Sequence, residues 1–169
     1  MLVNRDFYFP KLMIRRGILI LASGLFQLNM LYFLWPFALQ PDLLFILVIV
    51  MAMNSEFRKI AGYVLFCGLL KDAFALRLFG FNSLLFSLEA FLVGYICRRL
   101  YYQEKAWFGF IFLASAGVLN YFILTVILKR PYIVIGLAEA AINCLFFPII
   151  EKLYSADRRP ATGNSYAHR

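Results

Sequence analysis

The sequence predicts an all-α membrane protein in which six transmembrane helices form one bundle. Of its 169 residues, 63% are hydrophobic and the mean hydropathy is +0.78, whereas soluble domains are about 45–50% apolar. At this length, a water-soluble fold has too much surface to hide so many apolar side chains. Basic residues also recur at alternate gaps between apolar segments, as in multi-pass membrane proteins. We therefore expect lipid to surround most of one compact domain.

A helix that crosses a hydrocarbon core of about 30 Å needs about 20 residues. Six apolar segments approach this length: 17–35, 38–54, 60–78, 81–97, 107–128 and 133–152. The first ends at Trp35, an aromatic residue typical of the membrane interface. In the second, Pro41 suits the first helical turn, where its missing N–H costs nothing. This second segment is short, so whether it spans the membrane completely stays open.

Turn-forming and capping residues separate the later segments. Asn82 or Ser83 can cap the fourth helix, and Pro131 breaks the chain between the fifth and sixth. The predicted organisation is an interfacial N-terminal segment over residues 1–16, a six-helix domain over 17–154 and a disordered tail over 155–169. We expect no cleaved signal peptide, because no A-x-A site leads into a polar domain.

The placement of the basic residues predicts that both termini are cytoplasmic. If the N-terminus is inside, thirteen of the seventeen Lys and Arg residues fall on the cytoplasmic side. Two residues, Lys129 and Arg130, fall outside, and Lys71 and Arg77 lie near or within the membrane. This asymmetry follows the positive-inside rule and favours an even number of spans. It also accounts for the net charge of +8 without a nucleic-acid partner.

Asp72 is the most informative polar residue within the apolar segments. It lies about 18 Å along the third predicted helix, counted at 1.5 Å per residue, where an unpaired charge costs several kcal/mol. Its neighbour Lys71 is not a natural partner on a regular helix, and we expect the lysine to extend outward along its aliphatic stem. Asp72 therefore needs a donor from another segment or from water. The carboxylate either relays protons or holds a cation, or it fastens this helix end to its neighbours.

Three further polar residues interrupt apolar runs: Glu89, Glu139 and Asn143. Glu139 and Asn143 are four residues apart and share a helix face, and Gly94 would permit close helix approach beside Glu89. We favour packing or partner contact for these groups over solute binding, and both over catalysis. No phosphate loop, dinucleotide motif or nucleophile elbow is present, and the three cysteines form no C-x-x-C pair. We predict no catalytic residue, metal or cofactor.

The segments QPDLLFILVIVMAM (40–53) and GLLKDAFALRLFGFNSLLFSLEAFLVGYICRRL (68–100) resemble the rod-shape-determining protein MreD family. The resemblance covers most of residues 15–155. The residues that carry it are Pro41 and Asp42, Gly68 and Asp72, Phe79 and Gly80, Gly94 and Tyr95, and Arg98 and Arg99, with Asn82 in the same turn. Lys71 and Arg77 depart from the pattern, in which less basic residues are expected. Gly80 would allow the sharp reversal between the third and fourth helices, and Asp72 would fix the packing of that turn.

The resemblance implies a non-enzymatic, multi-pass subunit of the bacterial inner membrane that supports cell shape and lateral peptidoglycan synthesis. The implied partners are the bitopic protein MreC, the actin-like MreB filament, a glycosyltransferase–transpeptidase pair and membrane lipids. The family is also similar in plan to the substrate-binding subunits of energy-coupling-factor transporters. The alternative function is therefore binding of a vitamin or metal for transport, although a shared fold does not establish function.

Overall fold

A computed structural model describes residues 8–34, 41–75, 79–99, 105–128 and 133–155. Within these ranges all regular secondary structure is helical. The six helices are α1 (Tyr8–Leu34), α2 (Leu43–Asn54), α3 (Phe57–Ala75), α4 (Phe81–Arg99), α5 (Lys105–Leu128) and α6 (Ile133–Ser155). The predicted all-α class and the number of helices agree with this architecture.

The first helix differs most from its predicted bounds. It begins at Tyr8 rather than at residue 17, so Arg15 and Arg16 lie inside the helix instead of before it. The predicted interfacial segment therefore includes helical residues from Tyr8 onward, while residues 1–7 lie outside the described part of the chain. The predicted disordered tail also lies outside it, apart from Ser155, the last residue of α6.

The short helix α2 forms the centre of the bundle. Every residue from Leu43 to Ala52 is buried, and α2 contacts each of the other five helices. A helix that is apolar on all sides is stable only when it is enclosed on all sides. Its 12 residues extend about 18 Å at 1.5 Å per residue, less than the hydrocarbon thickness of about 30 Å. Within the described residues of the predicted spanning segment 38–54, the helix Leu43–Asn54 is thus a buried core helix that is shorter than a complete span.

The other helices surround α2 and carry apolar side chains on their outer surfaces. Examples from α1, α3, α4, α5 and α6 are Ile18, Leu65, Leu84, Trp107 and Leu145, which are 47–72% exposed. An apolar surface of this extent marks contact with lipid or with a partner. Within the described residues, α4 is the helix long and apolar enough to cross a membrane, and Leu43–Asn54 and Trp107–Leu119 are shorter apolar stretches. Six spans and cytoplasmic termini stay predictions.

Candidate functional site

The carboxylate of Asp72 holds the start of α4 against the end of α3. The backbone N–H groups of Gly80 and Ser83 donate to Oδ2, at 2.9 and 3.3 Å. The backbone N–H of Asn82 and its side-chain amide donate to Oδ1, at 3.0 and 2.7 Å. The first N–H groups of a helix have no partner within that helix, and a carboxylate at this end is also favoured by the helix dipole. Asp72, which is 3% exposed, thus caps α4 from another helix. The prediction that Asn82 or Ser83 caps this helix was wrong, because both residues lie inside α4.

Gly68 allows this cap to form because it lies one helical turn before Asp72 on the same face of α3. A Cβ atom at residue 68 would stand 2.2 Å from Ser83 Cα and 2.6 Å from Ser83 N. Only glycine therefore lets the start of α4 approach α3 so closely. Gly80 reverses the chain with φ of 91°, a conformation that glycine adopts without strain. The Gly-x-x-x-Asp spacing combines close approach with capping at one helix junction.

A second polar network is centred on Asp42, immediately before α2. Oδ1 of Asp42 accepts a hydrogen bond from the backbone N–H of Phe45 at 3.1 Å, as an N-cap residue does. Gln27 of α1 donates from Nε2 to the same oxygen at 3.4 Å. The backbone N–H of Asp42 donates to Oδ1 of Asn143, on α6, at 2.7 Å. This aspartate therefore links the buried α2 to two of the surrounding helices.

Lys71 adds α3 to the Asp42 network. Its ammonium group forms an ion pair with Oδ2 of Asp42 and lies 5.0 Å from the centre of the Phe86 ring on α4. As expected from their adjacent positions on one helix, Lys71 does not pair with Asp72; it pairs with Asp42 instead. Sequence reasoning considered only the adjacent Asp72, whereas the actual partner is 29 positions away. Because Lys71 and Asp72 point in different directions, one helix end holds both α2 and α4.

Glu89 lies inside the bundle without a hydrogen-bonding partner among the described residues. It is 3% exposed, and both of its carboxylate oxygens are buried and unsatisfied. Burial of a polar group without a hydrogen bond costs free energy, so this residue lowers the stability of the fold. Glu139, one helical turn before Asn143, is half-buried.

The remaining predicted residues occupy ordinary packing positions. Pro41 is buried and precedes Asp42, the N-cap of α2, so the prediction that it lies in the first turn of the second helix was wrong. Gly94 faces α2, and a Cβ at this residue would stand 3.4 Å from the carbonyl oxygen of Ala52. Tyr95 is 47% exposed, and its ring stacks on Phe91 at a centroid distance of 6.4 Å. The structure brings Asp42 and Asn143 together, whereas Gly94 and Tyr95 lie nearer the other end of α4.

Sequence reasoning missed a contact at the opposite end of the bundle. Arg16 of α1 donates to Ser55 Oγ at 3.5 Å, and its guanidinium lies 5.7 Å from the ring centres of both Tyr63 and Tyr154. Ser55 and the Tyr154 hydroxyl are also within hydrogen-bonding distance, at 3.3 Å. This cluster joins α1, α3 and α6 where α2 ends. An arginine followed by an apolar helix gave no signal for these long-range partners.

These contacts define a helical bundle in which buried polar side chains join helices. Within the described residues, no group of three or more His, Cys, Asp or Glu side chains could hold a metal ion.

The model of the family described as rod shape-determining protein MreD matches residues 12–156. The chain therefore belongs to the MreD family, whose members are membrane proteins concerned with rod shape. Comparison with curated proteins and with solved structures found no significant match. The likeness in plan to transporter subunits consequently stays a prediction.

Proposed function

We propose that this protein is a non-enzymatic, multi-pass subunit of the elongation machinery in the bacterial inner membrane. It binds an MreC-like bitopic protein and thereby supports lateral peptidoglycan synthesis by a glycosyltransferase–transpeptidase pair that works with an MreB-like filament. The observation that carries the proposal is the family match over residues 12–156, which covers nearly all of the described bundle.

The surface of the bundle supports a function that depends on contact. Only Ser55 and Glu56 connect α2 to α3, so this link offers little surface outside the helices. The apolar side chains on the outer helices offer much more. Within lipid, helices recognise one another by close packing and polar pairs, because apolar burial gives little net driving force there. A partner's transmembrane helix is the occupant that suits such a surface.

In this proposal the two polar networks are structural. They fix the relative positions of the helices whose outer faces meet the partner. The path of the chain supports an even number of crossings although α2 is short. Asp42, before α2, contacts Lys71 near the end of α3, whereas Ser55, after α2, contacts Arg16 and Tyr154. The chain therefore passes from one end of the bundle to the other along α2.

Depletion of the protein in a rod-shaped bacterium that depends on it tests this function. We expect cells to become round and wide, and we expect the wild-type gene in trans to restore rods. Cells that stay rod-shaped but lose uptake of one vitamin or metal would contradict the proposal and support the transport function. Topology is tested separately with reporter fusions, which should be cytoplasmic at residues 56, 103 and 160 and external at residue 130. A cytoplasmic reporter at residue 130 would refute the proposed topology.

A further inference from the structure

An open groove lies at the end of the bundle where α2 and α4 end and α5 begins. Its volume is about 260 Å³, slightly below the range of about 300–1,000 Å³ that is usual for sites of drug-sized ligands. A helix with its side chains is about 10–12 Å across, so the groove is too small to enclose a partner helix. It has room for a compact group such as a lipid headgroup.

The lining of the groove is divided between apolar and polar side chains. Met53, Phe108 and Phe112 provide the apolar part, and Ser55 and Arg98 provide polar atoms. The two phenylalanines are four residues apart on α5, so they lie on one face of that helix. A ligand that fits both parts has a polar or charged head joined to an apolar chain.

Arg98 is held in place at this groove. Its Nε donates to the backbone carbonyl of Gly94, one turn earlier in α4, at 2.8 Å. The residue is exposed, so its guanidinium is open to a ligand. A guanidinium has a planar set of donors that matches two oxygens of a phosphate group.

The charges around the groove favour an anion. Glu56 is the acidic residue in its described lining, and Lys59 neutralises it through an ion pair of 3.0 Å. The hydrogen bond and charge of Lys59, with smaller contributions from Arg98 and Arg58, lower the pKa of Glu56. Once Glu56 and Lys59 have neutralised each other, the positive charges of Arg58 and Arg98 remain.

We propose that this groove binds an anionic phospholipid, with the phosphate on Arg98 and an acyl chain along Phe108 and Phe112. Basic pockets between membrane helices are suited to anionic headgroups. Inorganic phosphate shares the charge but leaves the aromatic side chains of the groove uncovered, so the two-part lining favours the lipid. The site is distinct from the polar networks around Asp72 and Asp42, and it does not depend on which protein partner the bundle binds.

Native mass spectrometry of the purified full-length protein in detergent tests this site with added phosphatidylglycerol or phosphatidylcholine. We expect phosphatidylglycerol to bind more tightly, and we expect Arg98→Gln to weaken it about tenfold, as loss of a charge-assisted hydrogen bond does. Arg99→Gln is the matched control. It removes the same charge from the next residue, whose guanidinium lies over the Tyr95 ring at 5.2 Å rather than in the groove. This control should retain wild-type affinity.

Each alternative gives a different result in the same experiment. If Arg98→Gln and Arg99→Gln weaken phosphatidylglycerol binding equally, the binding depends on diffuse surface charge and the proposal is overturned. Equal affinity for phosphatidylglycerol and phosphatidylcholine would also overturn it. Displacement of bound lipid by millimolar inorganic phosphate would assign the site to free phosphate instead. Failure of both lipids to bind, with a partner peptide cross-linked at the groove, would assign it to protein. Thermal unfolding of both variants, expected to match the wild type, confirms that they are folded.

Discussion

Replacement of Asp72 tests the physical account of the α3–α4 junction. The carboxylate accepts four hydrogen bonds, two at each oxygen. Asp72→Asn retains one acceptor oxygen, so Asn82 keeps its two bonds while the N–H groups of Gly80 and Ser83 face an amide donor. With roughly 1–2 kcal/mol for each lost bond, Asn costs about 2–4 kcal/mol. Asp72→Leu loses all four bonds and costs about 4–8 kcal/mol on the same scale, close to the total stability of many proteins, about 5–15 kcal/mol.

The assay is equilibrium unfolding of the purified protein in mixed micelles, followed by circular dichroism. Asn82→Ala is the control within the same turn, because it removes only the side-chain bond of 2.7 Å. We expect the loss of stability to increase from Asn82→Ala to Asp72→Asn to Asp72→Leu. A folded, fully stable Leu variant beside an unfolded Asn variant would refute this reasoning. That result would show that the hydrogen bonds accepted by the carboxylate do not stabilise the junction.

Three further predictions about the packing of the bundle are tested by the same unfolding assay. Gly68→Ala should destabilise the fold by about 1–3 kcal/mol through overpacking. Its control is Gly62→Ala on the same helix, where a Cβ meets nothing within 4 Å, and this change should be neutral or stabilising. Equal effects of the two substitutions would contradict the close approach of α4 to Gly68. Glu89→Leu should raise stability by about 1–3 kcal/mol, because it removes an unsatisfied buried group. A loss of stability would show that the carboxyl has a partner. Asp42→Asn and Lys71→Met should be coupled by about 0.5–3 kcal/mol in a double-mutant cycle, and strict additivity would exclude the ion pair as a stabilising contact.

Substitution of Glu89 also distinguishes an effect on stability from an effect on function. A buried group that lowers stability is typical of a functional site. If Glu89→Leu gives a more stable protein that no longer restores rod shape to depleted cells, the carboxyl has a role in the complex. A more stable variant that restores rod shape would show that the Glu89 carboxyl has no role in the complex and only lowers the stability of the fold.

The sequence predicted the features that depend on local spacing. Gly68 and Asp72 are one turn apart, and Gly80 and Asn82 follow Asp72 by eight and ten residues, at the turn into the next predicted helix. The Asp42 network could not be predicted in the same way. Its members lie on different helices, and Gln27, Lys71 and Asn143 gave no signal that they share one aspartate. Such pairings depend on how helices pack, which periodicity does not determine.

The central position of α2 in the bundle could not be predicted from the sequence either. A helix that is apolar on every side is compatible either with lipid or with a protein interior, and composition does not distinguish the two. Its length is the physical clue, because Pro41 and Asp42 delay the start of the helix until Leu43. Similarly, Arg15 and Arg16 suggested a helix boundary by their charge, whereas contacts with tyrosine rings allow Arg16 to lie within α1.

Co-purification with the MreC-like protein tests the central claim most directly. The full-length chain and its candidate partner would be expressed together, extracted in mild detergent and passed over an affinity column for one of them. We expect both proteins to elute together through a following size-exclusion step, and we expect Asp72→Leu to weaken the complex more than Asp72→Asn does. A wild-type protein that is folded by thermal unfolding but elutes alone would contradict a function through contact with this partner.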